Sequence, residues 1–509
     1  MVTNPSAPAQ VSTMTGGVDA GAGDDRLAKG NVSLTEVLFV SIAAMGPASG
    51  AAYAITSGSG FAGGSLPLGV LIALVGCLLV AVAIGQLAKH MATAGGLASY
   101  VGKAIHSGIG FVTAWVYPFV YICAGPYLCL VFGNLIASTI FPKAEGPGYT
   151  LTWIVATAVC MAVAFTLNYF GVKFGTNVVV ILGIFEIAVF VILAIVLIVA
   201  AGPNNTLQVF TPADADANGF HGMSGVVAGS IYGFLAFIGF EAAAPLAAET
   251  KRPRRNIPRA IIGATLLVGV FYVLTTYAIT VYFGPEKMVD FLSFQGGNGW
   301  LAISQKLWGL GWIVVLIALM NSCLACATGG GMAASRSVWA MAHHRTIPHV
   351  FARTNPRTKS PTRAVFLVFG IEAVLTIVVA GILGPVEGYV MFGEVLTIAI
   401  LPIYLIAAIA CPIYFLRFQR KDFRVWLHVV IPVAGVLFLI PAFFAGAGIP
   451  VFSWIAPLTF PLNLAGPIVA VWYLVGAGVA MYLWRRRRES LVGLATDGDH
   501  EDSALVTQS

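Results

Sequence analysis

The apolar run at residues 225–248, GVVAGSIYGFLAFIGFEAAAPLAA, constrains this chain more than any other stretch. It is long enough to cross a hydrocarbon core of about 30 Å, which takes roughly 20 helical residues. Yet it is not written as one continuous helix. Gly239 and Pro245 flank an acidic residue, Glu241, deep in the run. Proline removes a helical hydrogen bond and crowds the preceding turn, and an ionised carboxylate at a helix centre costs on the order of 3 kcal/mol. Irregular backbone at membrane depth survives only where protein or water satisfies it. A broken helix carrying a carboxylate therefore points to a cavity. The basic residues that follow, Lys251, Arg252, Arg254 and Arg255, mark the cytoplasmic side.

The rest of the chain has the same character. Of 509 residues, 58% are hydrophobic and 9% charged, against about 25% charged in soluble domains. Mean hydropathy is +0.89. This is the composition of a polytopic membrane protein. All seven cysteines fall inside apolar runs, so they form no loop disulfide framework, and Cys323 and Cys326 are expected as packing residues. Residues 1–33 are polar, lack a signal-peptide pattern and are expected to be a disordered tail.

Twelve apolar spans can be drawn, at about 34–58, 66–88, 108–138, 150–169, 174–201, 225–248, 258–283, 309–336, 364–384, 388–416, 425–446 and 463–484. An even number puts both termini on one side. With that side cytoplasmic, only Lys143, Lys287 and Lys306 of the 27 lysines and arginines fall outside. The asymmetry predicts cytoplasmic termini.

Span one repeats the anomaly of span six, with Gly46, Pro47 and Gly50 near its middle. Interrupted spans five apart, running in opposite directions, are the pattern of a transporter built from inverted repeats around a central site. Few other polar residues lie within the spans. Glu186 is in span five, Asn321, Ser322 and Thr328 precede Gly329–Gly331 in span eight, Glu372 is in span nine, and Glu394 lies toward the outer end of span ten. Gly225, Gly229 and Gly233 give span six a small-residue packing face.

Three motifs resemble the amino acid–polyamine–organocation permeases. The first joins Phe237-Ile238-Gly239-Phe240-Glu241 to Glu249-Thr250-Lys251-Arg252-Pro253 and Asn256-Ile257-Pro258-Arg259-Ala260. The second is the loop after span two, Thr93-Ala94-Gly95-Gly96-Leu97-Ala98-Ser99-Tyr100-Val101. The third runs from Ala334-Ser335-Arg336 through Ile347-Pro348 to Thr362-Arg363-Ala364.

The resemblance implies an all-α membrane protein of twelve transmembrane helices, with the LeuT-like five-plus-five inverted repeat and interrupted helices one and six. It divides the chain into a cytoplasmic tail (1–33), a ten-helix transport core (34–416), two additional helices (417–484) and a second cytoplasmic tail (485–509). It implies that the exposed backbone of span one, at Gly46, Ala48, Ser49 and Gly50, binds a substrate carboxylate. Tyr127 of span three and Phe237, Ile238, Gly239 and Glu241 of span six complete the pocket, with Phe237 rather than Phe240 as the aromatic gate. Pro47 has no N–H and departs from the usual glycine-rich element. Some proton-coupled relatives place a lysine where Glu186 stands; a glutamate cannot mimic that cation but can carry a proton, so Glu186 is the candidate for proton coupling.

The reading is a permease of the cell membrane that imports amino acids with protons. Amino acid/polyamine exchange and uptake of a polyamine or other organic amine are its alternatives. Its partners are the small-molecule substrate, protons and the lipid bilayer, with a homo-oligomer left open. No nucleic acid, cofactor or metal is called for. A membrane enzyme would need clustered catalytic groups, a channel a pore loop or charge rings, and an ATP-driven pump a P-loop; the sequence carries none of these.

Overall fold

The computed structural model describes residues 32–91, 93, 95–171, 176–355, 360–452, 458–489 and 491. The amino-terminal tail to residue 31, Ala94, Lys173, Arg357, Lys359 and the acidic tail from residue 492 lie outside the described residues.

Among the described residues, eleven helices are long and apolar enough to cross a bilayer. They are α1 (Leu34–Ile55), α2 (Ser59–His90), α3 (Ser107–Ile140), α4 (Gly146–Tyr169), α5 (Val180–Asn204) and α6 (Met223–Ala247). Then come α7 (Pro253–Phe283), α8 (Gly299–His343), α9 (Thr362–Phe418), α10 (Trp426–Gly446) and α11 (Leu462–Arg486). The runs at 364–384 and 388–416 both fall in α9, whose 57 residues would span about 86 Å if straight. It bends instead at Gly384 (φ 80, ψ 178), where Pro385 opens a second arm without an intervening loop. A short hairpin, β1 (Asp216–Ala217) with β2 (Phe220–His221), lies between α5 and α6.

The local reasons are legible. Ser33 and Glu36 form a capping box at the start of α1: the Ser33 amide donates to Glu36 Oε2 (2.5 Å) and the Glu36 amide to Ser33 Oγ (3.4 Å). The small face of α6 lies where expected. A Cβ at Gly229 would sit 2.6 Å from that of Ala62, and one at Gly233 2.8 Å from that of Ala73. The segment expected as a loop after α2 is in part a helix, Gly96–Ala104, with Tyr100 buried within it. Of the three glycines before residue 332, Gly331 faces the ring of Phe369, Gly330 lies beside Tyr121 of α3, and Gly329 faces open space.

Helix packing falls into two groups. In one, α2 packs on α6 and α7, and α1 on α7; in the other, α3 packs on α4, α8 and α9. Of the most apolar stretch of α6, 89% is buried, against 17% for α4 and 22% for α11. Broken α6 is thus central, while α4 and α11 are peripheral. Leu151, Ile377, Ile382 and Leu474 on outer helices are each 65–74% exposed, a surface suited to lipid rather than water.

The basic segments gather at one end of the bundle. Val32 pairs with the α6–α7 connection (Val32 amide to Glu249 O 3.0 Å, Lys251 amide to Val32 O 2.9 Å). Arg417 donates to Ala104 O (3.3 Å), and the rings of His106 and Trp484 lie 4.6 Å apart.

Candidate functional site

The two helix breaks touch. Gly46 (φ 54, ψ 72) ends the first half of α1, and Ile238 and Gly239 (φ 111) end the first half of α6. Both glycines occupy the region of positive φ that only glycine enters cheaply. A Cβ on Gly239 would lie 2.8 Å from the carbonyl carbon of Ala44, so it admits no side chain. After the break α6 continues as a ten-residue 3₁₀ stretch, Phe240–Glu249, which contains Pro245.

Hydrogen bonds tie the breaks together. The Tyr272 hydroxyl of α7 lies 2.9 Å from Met45 O and 3.0 Å from Ala236 O, within reach of both as donor. Ser41 Oγ donates to Phe240 O (3.0 Å) and accepts from the Ala243 amide (3.1 Å). The Cys326 thiol donates toward Ala43 O (3.1 Å) and Ala44 O (3.3 Å), which gives this cysteine a polar task beyond packing.

The amides expected to receive a carboxylate are already engaged. Pro47 has none. The Gly46 amide donates to Ala43 O (3.1 Å), the Gly50 amide to Gly46 O (2.7 Å) and the Ser49 amide to Ser322 Oγ (3.0 Å). Ser322 Oγ in turn lies 3.0 Å from Ser49 Oγ. The Ala48 amide and the Ser322 side chain lie against the carboxyl of Glu186. Glu186 is 2% exposed, and its Oε2 has no hydrogen-bond partner. The structure thus joins Ala48, Ser49, Glu186 and Ser322, from α1, α5 and α8, in one polar cluster at the α1 break.

Glu241 is fully buried and accepts four hydrogen bonds. Tyr404 Oη donates to Oε2 (2.7 Å), Tyr121 Oη and Tyr117 Oη lie 3.2 and 3.4 Å from Oε1, and the Gly239 amide lies 3.3 Å from Oε2. Tyr117 and Tyr121 belong to α3 and Tyr404 to the second arm of α9, so this carboxyl links α6 to the other packing group. A second link lies on the far side of the breaks: Tyr53 Oη of α1 donates to Asn298 Oδ1 (3.2 Å), and Asn298 Nδ2 donates to Thr139 Oγ1 of α3 (3.2 Å).

The aromatic residues divide differently from the expectation. Phe237 packs against Tyr272 (centroids 5.4 Å) and beside Gly269, within its own packing group, because the residue before the break still points toward α7. Phe240, beyond the break, faces Tyr404 of α9 (4.9 Å). Tyr127 packs on Tyr389 (6.1 Å) with its hydroxyl buried and unpartnered. Ile238 is buried at the end of the first half of α6.

Two further carboxyls are buried. Glu372 lies against Gly125 of α3, and Glu394 against Tyr232 of α6 and Gly446 of α10. Among the described residues the buried acids are these four glutamates, and no lysine or arginine is buried with them. Also among the described residues, no group of three or more His, Cys, Asp or Glu side chains could hold a metal ion.

Residues 32–472 match the profile of the family described as amino acid permease. The chain belongs to that family. The permease is therefore a transporter of the amino acid–polyamine–organocation superfamily and not an enzyme, and it crosses the membrane several times. It is 24% identical to the branched-chain amino acid permease BcaP of Bacillus subtilis over 462 residues, covering 86% of this chain and 89% of the relative. It is 24% identical over 423 residues to a probable GABA permease of Pseudomonas aeruginosa (79% and 80%). It is also 24% identical over 450 residues to an aspartate-proton symporter of B. subtilis (80% and 80%). Tyr272, Ser322 and Cys326 of the permease escaped the sequence reading as site residues. Tyrosine, serine and cysteine in apolar helices are common, and only the fold brings these three to the breaks.

Proposed function

We propose that the protein is a secondary active transporter that imports amino acids across the cell membrane by proton-coupled symport, with α1, α2, α6 and α7 rocking against the other packing group. Twelve crossings, the two arms of α9 being separate spans of an inverted-repeat core, would place both termini in the cytoplasm with the clustered basic segments. The observation that carries the reading is the contact of the two breaks beside Glu186. A buried carboxyl with no cationic partner needs a proton or an incoming cation to balance its charge.

The Ala48 amide and Ser322 hydroxyl are the groups a substrate carboxylate would use, and Glu186 already faces them. Two carboxylates cannot share that position while both are ionised. Protonation of Glu186 would free the donors for substrate, which couples the two ligands. Glu241 and Tyr404 would act as the latch on one side of the site, with Phe240 as the adjoining gate, and Tyr53 and Asn298 as the latch on the other. Glu241, saturated by four donors, is not free to hold the second ammonium of a polyamine, which favours the amino acid reading. The named relatives act on branched-chain amino acids, GABA and aspartate, so amino acids are the substrate class to test first.

The test is uptake of a panel of labelled amino acids and polyamines into proteoliposomes, with and without an inward proton gradient. Gradient-driven accumulation of an amino acid supports the reading. Uptake only into vesicles preloaded with amino acid would replace symport with exchange, and accumulation of a polyamine alone would replace the substrate class.

A further inference from the structure

At the end of the bundle where the basic segments gather, α8 and α11 finish side by side. Between them opens a hollow of about 620 Å³ lined by Arg345, Ile347, His349, Tyr482, Leu483 and Arg487 among others, with no acidic residue in its wall among the described residues. Its apolar floor is Leu483 and Ile347, which also belong to a small apolar cluster with Phe111, Met341 and Trp484 behind them.

The positions of the two arginines are fixed by backbone. Arg345 takes a positive φ of 55° and its amide donates to Ala342 O (3.0 Å). The next residue, Thr346, donates both its amide (2.9 Å) and its hydroxyl (2.7 Å) to Met341 O. Arg487 caps α11 with its amide on Leu483 O (2.7 Å). Among the described residues neither guanidinium pairs with a carboxylate; the ion pairs seen are His221 with Asp216 and Lys287 with Glu286. Arg488, by contrast, is engaged over the Trp484 ring (4.4 Å). A topology anchor needs neither a fixed turn nor a hollow.

The chemistry selects the ligand. Two guanidinia, neither paired with a carboxylate among the described residues, suit a phosphate. The apolar floor and Tyr482, 62% exposed within one turn of the arginine cluster, suit an acyl chain at the membrane boundary. A free phosphate would leave the apolar floor unused, and a zwitterionic headgroup would bring an ammonium toward the guanidinia. The carbonyl ends of α8 and α11 would by themselves repel an anion, so binding depends on the arginines. We propose that this hollow binds an anionic phospholipid from the leaflet in which α8 and α11 end. The phosphate lies between Arg345 and Arg487 and a chain lies along Tyr482 and Leu483.

The test is native mass spectrometry of the full-length protein, delipidated in detergent and titrated with phosphatidylglycerol or phosphatidylcholine. The wild type is expected to retain phosphatidylglycerol preferentially. R345Q/R487Q should weaken that retention roughly 30-fold, at about a fivefold loss per arginine near a membrane surface. R345K/R487K, which keeps both charges, should retain the preference and shows that the turn tolerates substitution. R420Q/K421Q, outside the hollow, should behave as wild type. Equal retention by R345Q/R487Q and wild type would overturn the proposal, as would equal binding of the two lipids by wild type. Displacement of phosphatidylglycerol by millimolar inorganic phosphate would overturn it in favour of a site for a soluble anion.

Discussion

The hydroxyl of Tyr272 lies 2.9 Å from the carbonyl oxygen of Met45, in the last turn before α1 breaks, and 3.0 Å from that of Ala236 just before α6 breaks. One side chain from α7 therefore serves both interruptions, and its hydroxyl also fills the space where Gly50 lacks a side chain. Removing it takes away the one proton these two carbonyls share, at about 1–3 kcal/mol for a buried acceptor left unsatisfied. Tyr272→Phe is expected to lower the melting temperature of the purified protein and to cut uptake at least tenfold. Wild-type uptake by this variant would show that the breaks hold themselves open without α7.

Gly50→Ala tests the same contact from the other side. An added methyl cannot coexist with the Tyr272 hydroxyl where it stands. Loss of uptake with the protein still folded by size-exclusion chromatography is expected; full activity would mean that Tyr272 moves freely away from the breaks.

The breaks were legible in the sequence because glycine, proline and a carboxylate are costly in an apolar run, and the small-residue face of α6 because its spacing is local. Tyr272, Ser322 and Cys326 were not. Their partners at Met45, Ser49 and Ala43 are 227, 273 and 283 residues away, and nothing local assigns them to the breaks. In the sequence, only its place next to the break favours Phe237 over Phe240. They separate only because positive φ at Gly239 turns the chain between them and sends one ring toward α7 and the other toward α9. The Gly384-Pro385 step suggests two spans and a loop, whereas the second arm of α9 resumes at once.

Glu241 joins packing groups that the proposed mechanism requires to separate. Its bond from Tyr404, at 2.7 Å, is the shortest of the four. Tyr404→Phe should cost about 1–3 kcal/mol, the range for a buried acceptor left without a partner, read as a lower melting temperature. If Glu241 is the shared acceptor, Tyr404→Phe in a Glu241→Gln background should cost less than in wild type. Additive losses would place the role of Tyr404 elsewhere.

Glu394 meets α10 at Gly446, where a Cβ would lie 2.8 Å from its Oε1. Gly446→Ala should destabilise the protein by about 1–3 kcal/mol, the usual cost of overpacking. Shortening the acid with Glu394→Ala should recover part of that loss. No recovery would mean that the added methyl is opposed by Ile398 and Ile231, the other neighbours, and not by the carboxyl.

The central claim is that Glu186 couples a proton to substrate at the α1 break, and the most direct measurement is accumulation of a transported amino acid in proteoliposomes carrying wild type or Glu186→Gln. Under an inward proton gradient the wild type should concentrate the amino acid above its external level. Glu186→Gln should only equilibrate it, while still exchanging labelled for unlabelled substrate across vesicles without a gradient. Concentration by Glu186→Gln to the wild-type level would contradict the account and leave Glu186 a structural residue of α5.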